Sequence, residues 1–189
     1  MQLKKTINVH DDVAEIIFNE QQIQERVKEL ALKISNDYIG KQVTLVPILK
    51  GAAIFFGDLL KNITIPISLD FMMVSSYKNT LSSGFVCVEL DLRETAENKN
   101  ILIVEDIIDT GITVDCVYER IKLQKPKSIK ICSLLDKPSR RRKIINIDYF
   151  GFEVQDKFVV GYGADFNEIY RNLPYISVLK NEIYEEKEF

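Results

Sequence analysis

The chain reads as an α/β protein with a central, mainly parallel sheet flanked by helices, on three observations. Segments of strand character alternate with segments of helical periodicity through its centre, the order that crossover connections impose on a parallel sheet. The run from Ile101 to Val104 is apolar at every position rather than at every second one, as in a strand covered on both faces. Small-residue turns follow two of the strands, at Lys50 and Gly51 and again after Asp106, where open α/β sheets bind ligands.

Asn19 followed by Gln22 has the spacing of a capping box, and Ile23, Val27, Leu30, Ala31 and Ile34 then form one apolar stripe, so a first helix begins there. Val43 to Leu49 reads as a strand, Lys50 and Gly51 as a tight turn, and Ala52 to Leu60 as a second helix. Ile65 to Val74 and Phe85 to Leu92 read as two more strands. In the second, Val86, Val88, Leu90 and Leu92 alternate with Glu89 and Asp91. Ser75 to Gly84, between them, is far longer than the usual hairpin loop of about two to five residues. A lid, which Tyr77 would suit, and a decorative loop are even alternatives there. Ile101 to Val104 is a strand ended by Glu105 and Asp106, and the next helix carries Val114, Val117 and Ile121 at helical spacing. Ile129 to Leu135 is a further strand, Tyr149 to Val154 and Phe158 to Tyr162 are shorter β segments, and the tail from Glu185 to Phe189 is polar and frayed. No repeat, low-complexity tract or Pro/Gly-rich linker divides residues 1–189, so a single domain is expected.

Composition narrows the function. With 46% hydrophobic and 28% charged residues the chain is ordinary for a soluble protein. No apolar run approaches the ~20 residues of a membrane span, and the first ten residues lack a signal-peptide core. Cys87, Cys116 and Cys132 are odd in number and widely spaced, so free thiols in a reducing cytoplasm are expected. The net charge of −3 argues against a broadly basic nucleic-acid-binding surface. Arg140 to Lys143 is the one basic cluster and reads as a solvated turn. His10 is the sole histidine, which excludes multi-histidine metal sites.

The segment from Ile101 to Thr113 carries the chemistry. Strand, acidic pair, small-residue turn and helix follow one another, which places backbone N–H groups and hydroxyls where an anion docks. Two carboxylates flank that pocket. This segment resembles the phosphoribosyl-pyrophosphate motif of the type I phosphoribosyltransferases. The resemblance implies that Glu105 and Asp106 lie against the ribose hydroxyls, and that Ile107, Thr110, Gly111 and Thr113 belong to the sugar-phosphate cradle.

Four further places are similar to the 6-oxopurine (hypoxanthine-guanine) branch of that family, so that the likeness runs from about Val43 to Leu179. Leu49, Lys50 and Gly51 look like its pyrophosphate loop, in which the peptide before the lysine is cis in some relatives. Ser76 and Tyr77 look like the Ser-Tyr pair of its mobile loop. Lys137, after Asp136 and before Pro138, matches the lysine that donates to the purine O6, and a donor-only side chain favours a 6-oxo over a 6-amino group. Phe158 to Pro174 resembles the C-terminal signature. There Phe158 would stack on the base, the Val159 backbone would meet its 2-position edge, Asp165 would help hold magnesium and Arg171 would bind pyrophosphate. Phe166 departs from the pattern, standing where a tyrosine is common.

The resemblance implies a type I phosphoribosyltransferase fold with a small β-rich hood, and purine salvage from 5-phosphoribosyl-1-pyrophosphate (PRPP) to IMP or GMP. It also implies Mg2+ at Glu105, Asp106 and Asp165, and a homodimer or homotetramer. Asp109, three residues beyond the acidic pair, is the candidate general base for the purine N7 proton, with a helix cap as its plain alternative. Other readings are a PRPP sensor on the same fold and a transferase for xanthine or a pyrimidine.

Overall fold

The computed structural model describes residues 8–76 and 86–185, so Tyr77 and most of the expected lid lie outside the described residues. In chain order the elements are β1 (Val13–Phe18), α1 (Glu20–Asp37), β2 (Thr44–Leu49), α2 (Ala53–Asn62), β3 (Ser68–Leu69), β4 (Met72–Ser76) and β5 (Val86–Leu90). They continue with β6 (Asn100–Ile108), α3 (Ile112–Lys122), β7 (Ser128–Asp136), β8 (Tyr149–Glu153), β9 (Ile176–Leu179) and α4 (Asn181–Glu185).

α1 begins where its capping box places it. The Asn19 side chain accepts from the Gln22 N–H and the Gln22 side chain accepts from the Asn19 N–H, each at 2.9 Å. The five stripe residues from Ile23 to Ile34 are all buried. The main sheet runs β5-β4-β2-β6-β7-β8, with β3 beside the start of β2. Only the β4–β5 pair is antiparallel. β6 shows why its sequence does not alternate. Leu102 and Val104 pack with Val27, Leu30, Phe55 and Leu59 of α1 and α2, whereas Ile101 and Ile103 pack with Val114, Val117 and Ile121 of α3. Both faces are covered, so both need apolar side chains.

From β2 the chain fills the sheet outward to β5, then crosses back to β6 and fills the other side. Winding therefore reverses between β2 and β6, and the crevice at their carboxyl ends is a topological switch point. Lys50 and Gly51 leave β2 there, and Glu105 and Asp106 lie near that end of β6.

Three sequence expectations need correction. Glu105 and Asp106 do not end their strand, because β6 continues to Ile108 beside β7. The stretch from Ile65 to Val74 is not one strand. Pro66 supplies no N–H, and the Asp70 carboxylate takes the N–H groups of Phe71, Arg93 and Glu94, so β3 and β4 stand apart. Phe158 to Tyr162 makes only isolated bridges, Val160 to Ser177 and Gly161 to Ala164, where positive φ at Gly161, Tyr162 and Gly163 turns the chain. The strand pair of the hood is instead β1 with β9, antiparallel, over a small core of Val160, Tyr170, Leu173 and Leu179. β1 and β9 are 158 residues or more apart in sequence, and no local pattern announces such a pairing.

Replacing Asn19 with alanine removes one half of the capping box, and urea denaturation should register a loss of about 1 kcal/mol.

Candidate active site

Gly51 is the meeting point of the site. The Leu49–Lys50 peptide before it is cis. A Cβ on Gly51 would run into the Asp106 carboxylate, and a Cβ on Gly163 would run into the Gly51 carbonyl oxygen. Gly163 also holds φ at +107°, a region that side chains rarely enter. Close approach of bare backbone thus joins the end of β2, the end of β6 and the segment after β8.

Around that contact lies a network of charges. Lys50 Nζ meets Glu168 Oε2 at 2.9 Å. Arg171 Nη2 meets Asp165 Oδ1 at 2.8 Å and Glu168 Oε1 at 3.2 Å, while Nη1 donates to the Gly163 carbonyl at 2.7 Å. Asp165 Oδ2 accepts from the Glu168 N–H at 2.9 Å, closing a turn with positive φ at Asn167, Glu168 and Tyr170. Behind it the Tyr162 hydroxyl donates to Asp58 of α2 at 2.7 Å, so helix and turn are fastened together.

Adjacent residues of a strand face opposite ways, and the acidic pair obeys that rule. Glu105 faces α3 and lines a cup of about 80 Å³ with Ile107, Asp109, Thr110, Gly111 and Thr113. Asp106 faces the Gly51 loop. Burial is the main cause that lifts both carboxyls: Glu105 lies well above the usual range, and Asp106 is pushed up to about 6. The Asp165 charge adds to the rise at Asp106 and Arg171 opposes it. Glu105 Oε2 is buried with no hydrogen-bond partner. Among the described residues no three His, Cys, Asp or Glu side chains form a metal cluster. Carboxylates on the two sides of the Gly51 loop, Asp106 and Asp165, are nonetheless hard oxygen donors that suit a magnesium ion retaining water and substrate oxygens.

The cup sits at the N-terminus of α3, with Gly111 at the cap position and φ at +82°. Asp109 precedes the cap position, which Gly111 holds with no side-chain hydrogen bond to α3. Its Oδ1 accepts no hydrogen bond and lies 3.7 Å from Arg140 Nε. The basic cluster is not a solvated turn throughout. Arg142 and Lys143 donate their N–H groups to the Thr110 carbonyl, and Arg141 pairs with Asp136 beneath Gly111. The run folds back as a buttress under the cup.

Lys137, a residue type usually solvated, is only 3% exposed. Its Nζ donates to the Lys157 carbonyl at 2.7 Å, and its backbone N–H donates to Ile108. Val159 is buried, whereas Phe158 leaves about half its surface free and meets Phe166 and Tyr184 edge to face. A separate cleft of about 650 Å³ opens among Lys41, Ser68, Arg93 and Lys99, at the opposite ends of the strands, and none of these site residues lines it.

A phosphoribosyl transferase domain model matches residues 13–167. This chain belongs to the phosphoribosyl transferase family. The hypoxanthine-guanine phosphoribosyltransferase of Staphylococcus aureus is 47% identical over 177 residues, covering 93% of this chain and 99% of that protein. A solved hypoxanthine phosphoribosyltransferase from Staphylococcus aureus matches with a TM-score of 0.90 at 44% identity, over 96% of this chain and 99% of that one. The bifunctional protein TilS/HprT of Listeria innocua is 47% identical over 180 residues, and the chain spans 28% of its length.

The phosphoribosyltransferase fold brings Lys50, Gly51, Asp106, Asp165 and Arg171 together, and gathers Glu105, Ile107, Asp109, Thr110, Gly111 and Thr113 around the cup. Ser76 ends β4, and Tyr77 lies outside the described residues. Sequence reasoning missed Glu168, Arg140 and Tyr184. Glu168 lies within the C-terminal signature but reaches Lys50 far away in the chain, and Arg140 and Tyr184 meet Asp109 and Phe158 only in the fold.

The raised Asp106 has a consequence for stability. The folded chain holds this proton up to about pH 6, whereas the free carboxyl releases it at 3.8, so stability falls as pH rises through that window. Asp106→Asn should therefore gain about 1–3 kcal/mol at pH 7.5 without metal or substrate, and flatten that fall in urea titrations from pH 4 to 7.5.

Proposed function

We propose that this chain is a purine salvage enzyme, a magnesium-dependent hypoxanthine-guanine phosphoribosyltransferase of one domain. It transfers the phosphoribosyl group of PRPP to N9 of hypoxanthine or guanine, giving IMP or GMP and pyrophosphate. The observation that carries this reading is the three-way contact at Gly51, which sets anion-binding backbone and two cations beside the acidic strand end. The relative named hypoxanthine-guanine phosphoribosyltransferase supports the base class.

In this reading the Thr110–Thr113 turn and its backbone N–H groups at the start of α3 receive the 5′-phosphate. Glu105 and Asp106 receive the ribose hydroxyls from the two faces of β6. Lys50, the Gly51 backbone and Arg171 receive pyrophosphate. Asp106 and Asp165 would hold Mg2+, with Glu105 behind them. A bound magnesium ion supplies charge that neutralises the departing pyrophosphate.

The C1–O bond breaks and its electron pair leaves with pyrophosphate. N9 supplies the pair for the new C1–N bond, and the N7 proton passes to Asp109, whose Oδ1 accepts no hydrogen bond within the chain. Lys137 donates to O6 from a buried position, so an exocyclic amino group, which also donates, would be rejected. Phe158 stacks on the base and the Val159 backbone meets its 2-position. Ser76 and Tyr77 would open the lid segment that keeps water from the ribosyl centre. The free cysteines suit a cytoplasmic enzyme, and no helix among the described residues is long and apolar enough to cross a membrane. A dimer or tetramer would cover exposed apolar residues such as Ile54, Leu69, Phe71 and Leu90.

The deciding assay supplies PRPP and magnesium with each of five bases. Nucleotide should form from hypoxanthine or guanine, not from adenine or uracil, and not without metal; the xanthine arm measures how strictly the 2-position is read. Donor binding with no product from any base would make the chain a sensor on a transferase fold. In the same assay Asp109→Asn should lower turnover by roughly 10²–10⁴-fold while PRPP affinity changes little. Wild-type turnover in that variant would remove Asp109 from its role.

A further inference from the structure

The site holds one carboxylate to which the reading above gives no role. Glu168 spans the two cations assigned above to pyrophosphate, at 2.9 Å from Lys50 Nζ and 3.2 Å from Arg171 Nη2. Its two oxygens divide between them, one to each, as two oxygens of a diphosphate would.

The partners of Arg171 differ in how firmly they are built in. The Gly163 carbonyl is backbone, held by the turn. Asp165 is about two-thirds shielded and is tied down by the Glu168 N–H. The Glu168 side chain, in contrast, is 63% exposed and rests on its two ion pairs. Exposed pairs of this kind are worth only about 0–1 kcal/mol, so this contact yields to a stronger anion. The other partners have no reason to move.

Resting on the reading of the site given above, we propose that Glu168 is a built-in competitor for pyrophosphate. Its carboxylate takes the outward donors of Lys50 and Arg171, and a diphosphate must displace it. Glu168 thereby weakens the grip on pyrophosphate and favours its departure after transfer. The left-handed turn, with φ at +65° at residue 168, carries the side chain up to both cations.

The test titrates magnesium pyrophosphate into the wild-type protein, Glu168→Gln and Glu168→Asn by calorimetry. Glutamine keeps the length without the charge, and asparagine tolerates the left-handed backbone. Both variants should bind pyrophosphate roughly two- to fivefold more tightly, the span of an exposed ion pair, with the inhibition constant of pyrophosphate lowered alike. The KM for hypoxanthine should stay where it is. Unchanged affinity in both variants would overturn the proposal. So would weaker binding, which would make Glu168 a residue that orients the cations. If the wild-type protein itself binds no pyrophosphate, the reading of the site falls first and this inference with it.

Discussion

The whole active end of this molecule depends on how closely two stretches of bare backbone and a carboxylate approach at Gly51. No side chain fits between the Gly51 backbone and Asp106, nor between Gly163 and the Gly51 carbonyl. The sheet brings β2 and β6 side by side, and the hood segment is then pressed onto them through glycine. Lys50, Asp106 and Arg171 gather around that contact. The Asp58–Tyr162 hydrogen bond pins α2 to the same segment from behind.

A second constraint is electrostatic. Glu105 and Asp106 are buried at a sheet end with their acidity depressed, an arrangement that a fold selected for stability alone would avoid. The surroundings answer with backbone donors to Asp106 and the Arg171 field, while the Asp165 charge adds to the strain. Opposite facing separates the pair: Glu105 lines the cup at the start of α3, and Asp106 faces the Gly51 loop.

The basic run from Arg140 to Lys143 shows how context redirects a local signal. In sequence it is four adjacent cations, the composition of a solvated turn. In the fold its backbone braces Thr110, Arg141 is drawn under Gly111 to Asp136, and Arg140 reaches Asp109. Lys137 changes in the same way, since only the fold buries it against Lys157.

The sequence by itself determined the alternating architecture, the capped first helix, the double-faced strand β6 and the residue types of the site. These follow from near-neighbour rules: apolar period, capping chemistry and the demand for glycine where backbone must approach an anion. What only the tertiary structure decided depends on partners far apart in the chain. The β1–β9 pair, the break at Asp70, the extension of β6 through its acidic pair and the bridging place of Glu168 all belong to that group. Periodicity records which face of an element is buried. It carries no term for the distant segment that buries it.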